Sequence, residues 1–236
     1  MLEIKELSKK FGELVALDKV SFDVSSSSIL GIIGPNGAGK TTLFNVICGF
    51  YRPEKGAVLL HGESITGLKP HIIARKGVGR TFQTPRIFRD LTVLQNMLAP
   101  MIDRDMHNEA PLGRVKDLLR IVKLTDLTGE MAGNLSIGQQ KLLEFARVLM
   151  PDPELILLDE PFSGVNPAIK IRIMELIKQI NKEKRKTFVI ISHDVPAVAE
   201  TCQRVIVLNR GQIISSGSCQ EIREDPKVID AYLGVL

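Results

Sequence analysis

The sequence predicts an α/β fold: a mostly parallel sheet flanked by helices, preceded by an antiparallel β segment and interrupted by a helical insertion. Three observations carry this. Two short runs, Ile29-Leu30-Gly31-Ile32-Ile33 and Leu155-Ile156-Leu157-Leu158, hold no polar residue, as strands buried on both faces do. Each is followed by a segment with apolar residues at helical spacing, so strand and helix alternate as they do in a parallel sheet. Between them, over residues 85–150, the pattern changes to helical segments separated by breakers.

Taken in order, residues 2–24 read as strand-rich, with Leu2 and Ile4 alternating with charges and then residues 15–17 and 20–24 following turn signals at Phe11-Gly12 and Asp18. Antiparallel pairing is the simplest packing for them. Residues 41–50 carry Leu43, Val46, Ile47 and Phe50 at helical spacing, and residues 56–61 give a further strand ended by Gly62. In the insertion the best helices are residues 92–98, 112–122 and 137–149, while residues 103–111 are polar and read as a surface connection. After residues 155–159, a helix is expected over 167–180, with Ile169, Ile173, Leu176, Ile177 and Ile180 on one face. Strands follow at 187–192 and 204–209. Asp225-Pro226 opens a last amphipathic helix through Val228, Ile229, Tyr232 and Leu233.

The stretch Gly34-Pro35-Asn36-Gly37-Ala38-Gly39-Lys40-Thr41 lies between the first buried strand and the first helix. It fits G-x-x-x-x-G-K-[ST], a loop whose backbone N–H groups face one concavity, whose Lys reaches outer phosphates and whose Thr offers a hydroxyl to Mg²⁺. The helix start adds its dipole and free N–H groups to anion binding, and Thr42 is counted with the loop. Polyphosphate is the expected ligand, in a P-loop NTPase type of fold.

Composition narrows the class further. The chain has 236 residues, 44% hydrophobic, 25% charged, with net charge +4, ordinary for a globular protein with one sizeable core. No apolar run approaches the roughly 18–20 residues that span a bilayer, and the opening residues lack a signal peptide's apolar segment, so a cytoplasmic protein is expected. Cys48, Cys202 and Cys219 have neither C-x-x-C spacing nor an even count and read as incidental thiols. The basic run Lys182-Glu183-Lys184-Arg185-Lys186 reads as a solvated loop, and no nucleic acid is expected as a partner.

A phosphate loop alone does not separate kinases, GTPases and motor ATPases. Asp159-Glu160 ends the second buried strand, where one carboxylate can hold Mg²⁺ through its water shell and the other can orient and deprotonate an attacking water. Asp159 is assigned to the metal and Glu160 to the water. Leu135-Ser136-Ile137-Gly138-Gln139-Gln140 opens a helix, and Ser136 and Gly138 there make a second anion-binding end; taken alone, the same residues are an N-cap and a turn.

These three stretches together resemble the Walker A, signature and Walker B motifs of ABC-family ATPases, in the family's order. Gln83 is similar to the Q-loop glutamine, Ser163-Gly164-Val165-Asn166 to the D-loop and His193 to the switch histidine. The resemblance implies ATP and Mg²⁺ as ligands, with Gln83 linking Mg²⁺ and the attacking water to the helical subdomain. It also implies His193 at the γ-phosphate and Phe11 stacked on adenine, although Phe11 reads equally as a core residue. It implies one ATP-binding domain over residues 1–236, with 1–84 and 151–236 as core ATPase and 85–150 as helical subdomain. Two such subunits would pair head to tail, so that Ser136, Gly138 and Gln139 reach the partner's nucleotide. Permease subunits, and through them a substrate-binding protein, would place the chain on the cytoplasmic face of a membrane.

Finer features, Gly79-Arg80-Thr81-Phe82-Gln83-Thr84-Pro85, Leu91-Thr92-Val93 and Ile229-Asp230-Ala231-Tyr232-Leu233-Gly234, resemble the ATP-binding subunits of branched-chain amino-acid importers. Three departures stand out: Ile137 at the variable signature position, Ser27-Ser28 where a Gly-Glu turn is usual, and a short tract over residues 99–110. The rival reading is a soluble ABC ATPase acting on nucleic acid or ribosomes. Such proteins usually carry two ATPase domains, a long coiled coil or basic extensions, none of which is visible. A P-loop kinase or GTPase would leave the signature motif unexplained.

Overall fold

In chain order the computed structural model, which describes residues 1–102 and 110–233, begins with β1 (Leu2–Phe11), β2 (Leu14–Val24) and β3 (Ile29–Ile33). Then come α1 (Lys40–Ile47), β4 (Lys55–Leu60), β5 (Glu63–Ser64), α2 (Pro70–Arg75) and β6 (Val78–Arg80). The insertion supplies α3 (Val93–Leu98), α4 (Ala110–Ile121) and α5 (Ile137–Leu149). The chain continues with β7 (Leu155–Asp159), α6 (Pro167–Lys184), β8 (Thr187–Ile191), α7 (Val195–Thr201) and β9 (Arg204–Asn209), and closes with β10 (Gln212–Gly217), α8 (Cys219–Glu224) and α9 (Pro226–Leu233).

The first sheet is antiparallel in the order β2-β1-β4-β5. Here β2 runs through Asp18, where a turn was expected: Lys19 takes φ 49° and the register with β1 slips between Leu7↔Val20 and Lys9↔Leu17. The extra residue is a bulge, which lets Leu17 and Val20, three apart, both point into the core. The second sheet has the order β10-β9-β3-β8-β7-β6, parallel at every pairing except that of β10 with β9.

Alternate residues of the central strands enter opposite cores, which explains why residues 155–158 and 188–191 are all apolar. Ile156, Leu158, Phe188 and Ile190 pack with residues of α3 to α6, and Leu155, Leu157, Val189 and Ile191 pack with α1 and the antiparallel sheet. The helices of the insertion therefore share a core with one sheet face.

Several expectations shift at their edges. α1 ends at Ile47, so Phe50 lies beyond it and is exposed. Pro111 belongs to α4 and not to the preceding connection, whose residues 103–109, with His107, lie outside the described residues, as do Gly234 and the side chains of Tyr232 and Leu233. The Ser27-Ser28 turn adopts positive φ without glycine. Ser27 (φ 58°) donates its N–H to Thr187 Oγ1 at 2.9 Å and its Oγ to the Arg185 carbonyl at 3.0 Å, bonds that hold the strained residue in place.

Candidate active site

The order β3-β8-β7-β6 lines up four strand ends. β3 runs into Gly34, β8 into Ser192-His193, β7 ends on Asp159-Glu160, and β6 leads to Gln83. The carboxyl ends of parallel strands are where α/β sheets place ligands, because the loops leaving them converge and helix N-termini point at the same crevice.

The loop is closed on itself by its lysine. Lys40 begins α1, and its Nζ donates to the carbonyls of Gly34 at 2.6 Å and Pro35 at 2.9 Å. Burial pushes the Lys40 ammonium below its usual range, while Glu160 and Asp159 pull it back up. Residues of the loop from Asn36 to Thr42, with Phe11, Gln83 and Glu160, line one cavity of about 300 Å³. Phe11 is 42% exposed and meets the Tyr51 ring edge-on at 5.1 Å, so it is not a core residue.

The two carboxylates differ sharply in their surroundings. Asp159 is buried, and burial raises its carboxyl pKa against the opposing pull of Arg80, whose Nη2 lies 3.2 Å from Oδ2. Glu160 follows directly at φ 51°, a conformation L-residues rarely adopt. Its Oε2 accepts from the His193 backbone N–H at 3.3 Å and the Ser192 hydroxyl at 3.4 Å, with His193 Nδ1 at 2.8 Å. Behind it, Lys141 Nζ donates to the Glu160 carbonyl at 2.8 Å and to Ser163 Oγ at 3.2 Å.

A second cavity of about 400 Å³ joins Thr41, Asp159 and Gln83 to an aromatic wall that includes Phe50 and Phe82. Asp159 Oδ1 is buried with no hydrogen-bond partner among the described residues. A cation or its water shell would satisfy that oxygen. Among the described residues no three His, Cys, Asp or Glu gather as a dedicated metal site, and Mg²⁺ needs none, since it takes one or two carboxylates together with waters and substrate phosphates. The residues present fit that ion.

The signature stretch stands apart. Ser136 caps α5 in a reciprocal box: its Oγ accepts from the Gln139 N–H at 3.3 Å, and Gln139 Oε1 accepts from the Ser136 N–H at 2.8 Å. Ser136 and Ile137 are exposed, and Ser136, Gly138 and Gln139 line neither cavity. The structure thus gathers residues 34–42, Gln83, Asp159, Glu160 and His193 at one set of strand ends, adds Phe11 from the end of β1 to the cavity wall, and places the signature residues elsewhere.

The ABC transporter family model matches residues 17–163, the span that holds the loop, the signature stretch and both carboxylates. The chain belongs to the ABC transporter family. A model described as branched-chain amino acid ATP-binding cassette transporter also matches residues 212–235 of this ABC cassette. The cassette is 38% identical to the high-affinity branched-chain amino acid transport ATP-binding protein BraF of Pseudomonas aeruginosa, over 99% of this chain and 98% of that protein. Its identity to the corresponding LivG protein of Escherichia coli K12 is 37%, with the same coverage. Among solved structures it resembles the ADP conformation of an ABC transporter's ATP-binding cassette, with TM-score 0.90 and 35% identity over 99% of this chain and 98% of that one. It also resembles a dimeric post-hydrolysis cassette bound to ADP and phosphate, with TM-score 0.84 and 28% identity over 93% and 99% of the two chains. The protein is an ATPase that binds ATP and hydrolyses it to ADP and phosphate to energise a transporter.

Several residues that shape this cassette's site lie outside the motifs. Arg80, Lys141 and Asn96 are buried or nearly so and hold, respectively, Asp159, the Glu160 backbone and the segment after Gln83. In that segment the Arg86 N–H donates to Glu144 at 2.9 Å, Phe88 exchanges two bonds with Asn96, and Arg147 donates to the Arg86 carbonyl. Gln83 is therefore followed by a chain stretch bound to α3 and α5. The one available signal was charge at helix positions whose neighbours are apolar, as with Lys141 and Glu144 beside Leu142, Leu143 and Phe145.

Proposed function

We propose that the chain is the ATP-hydrolysing subunit of an importer for branched-chain amino acids or a similar small solute. It pairs with a second cassette and docks on integral-membrane permease subunits, which a substrate-binding protein supplies. The observation that carries the pairing is the separation of Ser136, Gly138 and Gln139 from the cavity around Lys40. An exposed helix N-terminus with glycine in its first turn suits a phosphate presented by another molecule. The transported class rests on the relatives named above.

Within each half-site, backbone N–H groups of Gly34, Asn36, Gly37, Ala38 and Gly39 surround the β- and γ-phosphates, while Pro35, which has no N–H, shapes the loop. Lys40 neutralises the outer phosphate once it leaves its two loop carbonyls. Thr41 and Thr42 extend the cradle, and Phe11 offers its exposed ring to adenine, a contact that tolerates any base. Thr41, Asp159 and Gln83 would hold Mg²⁺, which neutralises charge on the phosphates. Glu160 takes a proton from water as the water oxygen attacks the γ-phosphorus and ADP leaves. His193, already beside Glu160, contacts the γ-phosphate.

Residues 85–150 act in this reading as a helical subdomain on a core of 1–84 and 151–236. The bonds from Glu144, Asn96 and Arg147 carry Gln83 movement to it and to the groove at residues 84–88, where the permease docks. Among the described residues no helix is long and apolar enough to cross a membrane, and attachment at the cytoplasmic face comes through the permease.

Affinity purification of the chain from detergent-solubilised membranes tests this. Co-purification of multi-span membrane proteins is expected. Recovery with nucleic acid or ribosomes and no membrane protein would overturn the transporter assignment in favour of a soluble ABC ATPase.

A further inference from the structure

Arg80 belongs to none of the motifs that carry the nucleotide reading, yet both of its terminal nitrogens and its plane are held. It ends β6 with its side chain 7% exposed. Nη1 donates to Asn45 Oδ1 of α1 at 2.7 Å, and Nη2 donates to Asp159 Oδ2 at 3.2 Å. Three rings surround the guanidinium: Phe44 and Phe50, each at 5.6 Å from its central carbon, and Phe82 at 4.9 Å.

The planar fork of an arginine suits a hold at two points, and stacking on aromatic faces fixes its plane; a lysine offers neither. Burying an Arg–Asp pair gains little net stability, because desolvation offsets most of the attraction. Orientation is what such a pair supplies. Asp159 is pinned at Oδ2, while Oδ1, equally buried, has no partner among the described residues. A carboxylate fixed through one oxygen presents the other in one direction.

We propose that Arg80 is a positioning residue for the metal: by holding Asp159 Oδ2 in a fork anchored on Asn45, it presents Asp159 Oδ1 to the divalent cation that accompanies ATP. The inference rests on the assignment of Asp159 to the metal. Outer groups that orient metal ligands typically matter by about 10- to 100-fold in metal affinity. The opposite possibility, that Arg80 is a cation repelling the metal, predicts the opposite sign.

The test uses the full chain with Mn²⁺ as probe, free Mn²⁺ being read by electron paramagnetic resonance in the presence of ADP, and ADP affinity being measured separately in EDTA. Arg80→Gln should weaken Mn²⁺ binding by about 10- to 100-fold and leave metal-free ADP binding unchanged. Arg80→Lys keeps the charge but cannot bridge Asn45 and Asp159, so it should resemble the Gln variant, and Asn45→Ala should shift Mn²⁺ affinity the same way by less. If Arg80→Gln does not fold, these two variants decide. Unchanged or tighter Mn²⁺ binding in the Arg80 variants, with loss in Asp159→Asn, would overturn the role of Arg80 and leave Asp159 as the metal carboxylate. Full recovery by Lys would overturn the fork. Wild-type Mn²⁺ affinity in Asp159→Asn would overturn both assignments.

Discussion

His193 Nδ1 lies 2.8 Å from Glu160 Oε2, and the His193 backbone N–H reaches the same oxygen at 3.3 Å. Two groups from the end of β8 therefore orient one carboxylate from the end of β7, leaving Oε1 outside these contacts. Such an arrangement suits a carboxylate that must face a water at a fixed point.

Glu160→Gln keeps the shape of this pair and removes the base. Turnover should fall by roughly 100- to 10,000-fold while ATP binding persists. Steady-state phosphate release and a nucleotide titration measure the two; normal turnover would sink the assignment of Glu160 to the water.

Lys40→Ala should act on binding. The amine is buried and held by two carbonyls of its own loop, which it exchanges for a phosphate. Loss of a charge-assisted bond corresponds to about tenfold to a hundredfold weaker ATP affinity. An equilibrium titration giving an unchanged dissociation constant would refute it.

The loop's glycines should differ in sensitivity. At Gly39 (φ 102°) an added Cβ would stand 2.4 Å from the Ala16 carbonyl oxygen, whereas at Gly37 (φ 78°) it meets nothing within 4 Å. Gly39→Ala combines strained backbone with collision, roughly 2–5 kcal/mol. Gly37→Ala carries only the backbone cost, about 1–2 kcal/mol. Urea unfolding of the two variants should show this order, and equal losses would contradict it.

Asp194 gives a pH signature next to the site. Its Oδ1 caps α7 by accepting the Ala197 N–H at 3.0 Å, and its Oδ2 pairs with Lys170 of α6. Burial pushes the carboxyl up, but the Lys170 and Ala197 hydrogen bonds outweigh it and the net shift is downward. A depressed folded pKa means that the stabilisation is present above the unfolded value, about 3.9, and is lost as pH falls through the lower folded value. Asp194→Ala should cost about 1 kcal/mol near neutral pH, and its melting temperature should converge on the wild type's below about pH 4. A gap independent of pH would show that the carboxylate's charge contributes nothing.

The sequence made the strand ends legible because the chemistry there is local: Gly34 to Thr41 must be contiguous to form a cradle, and Asp159-Glu160 must follow a buried strand. What it hid depends on neighbours distant in the chain. Arg80 meets Asp159 only because β6 pairs with β7, with Arg80 opposite Leu157, and β6 has just three residues, too few for a period to register. β10 is hidden in the sequence for a similar reason, since Ser215 and Ser216 break its apolar pattern at the sheet edge. The bulge in β2 looked like a turn because Asp18 and Lys19 are polar, and only pairing with β1 shows the strand continuing. Phe11 could be read as core until its surroundings, the Tyr51 edge and open cavity, were known.

In the reading proposed above, the loop from Gly34 to Thr41 is half of a site, completed by Ser136, Gly138 and Gln139 of another cassette. Light scattering on the Glu160→Gln variant with ATP and Mg²⁺ tests it most directly. A dimer is expected with ATP and a monomer with ADP, and the dimer should be lost when Ser136→Arg is added while each chain still binds ATP. A chain saturated with ATP that stays monomeric, or a dimer indifferent to Ser136→Arg, would contradict it.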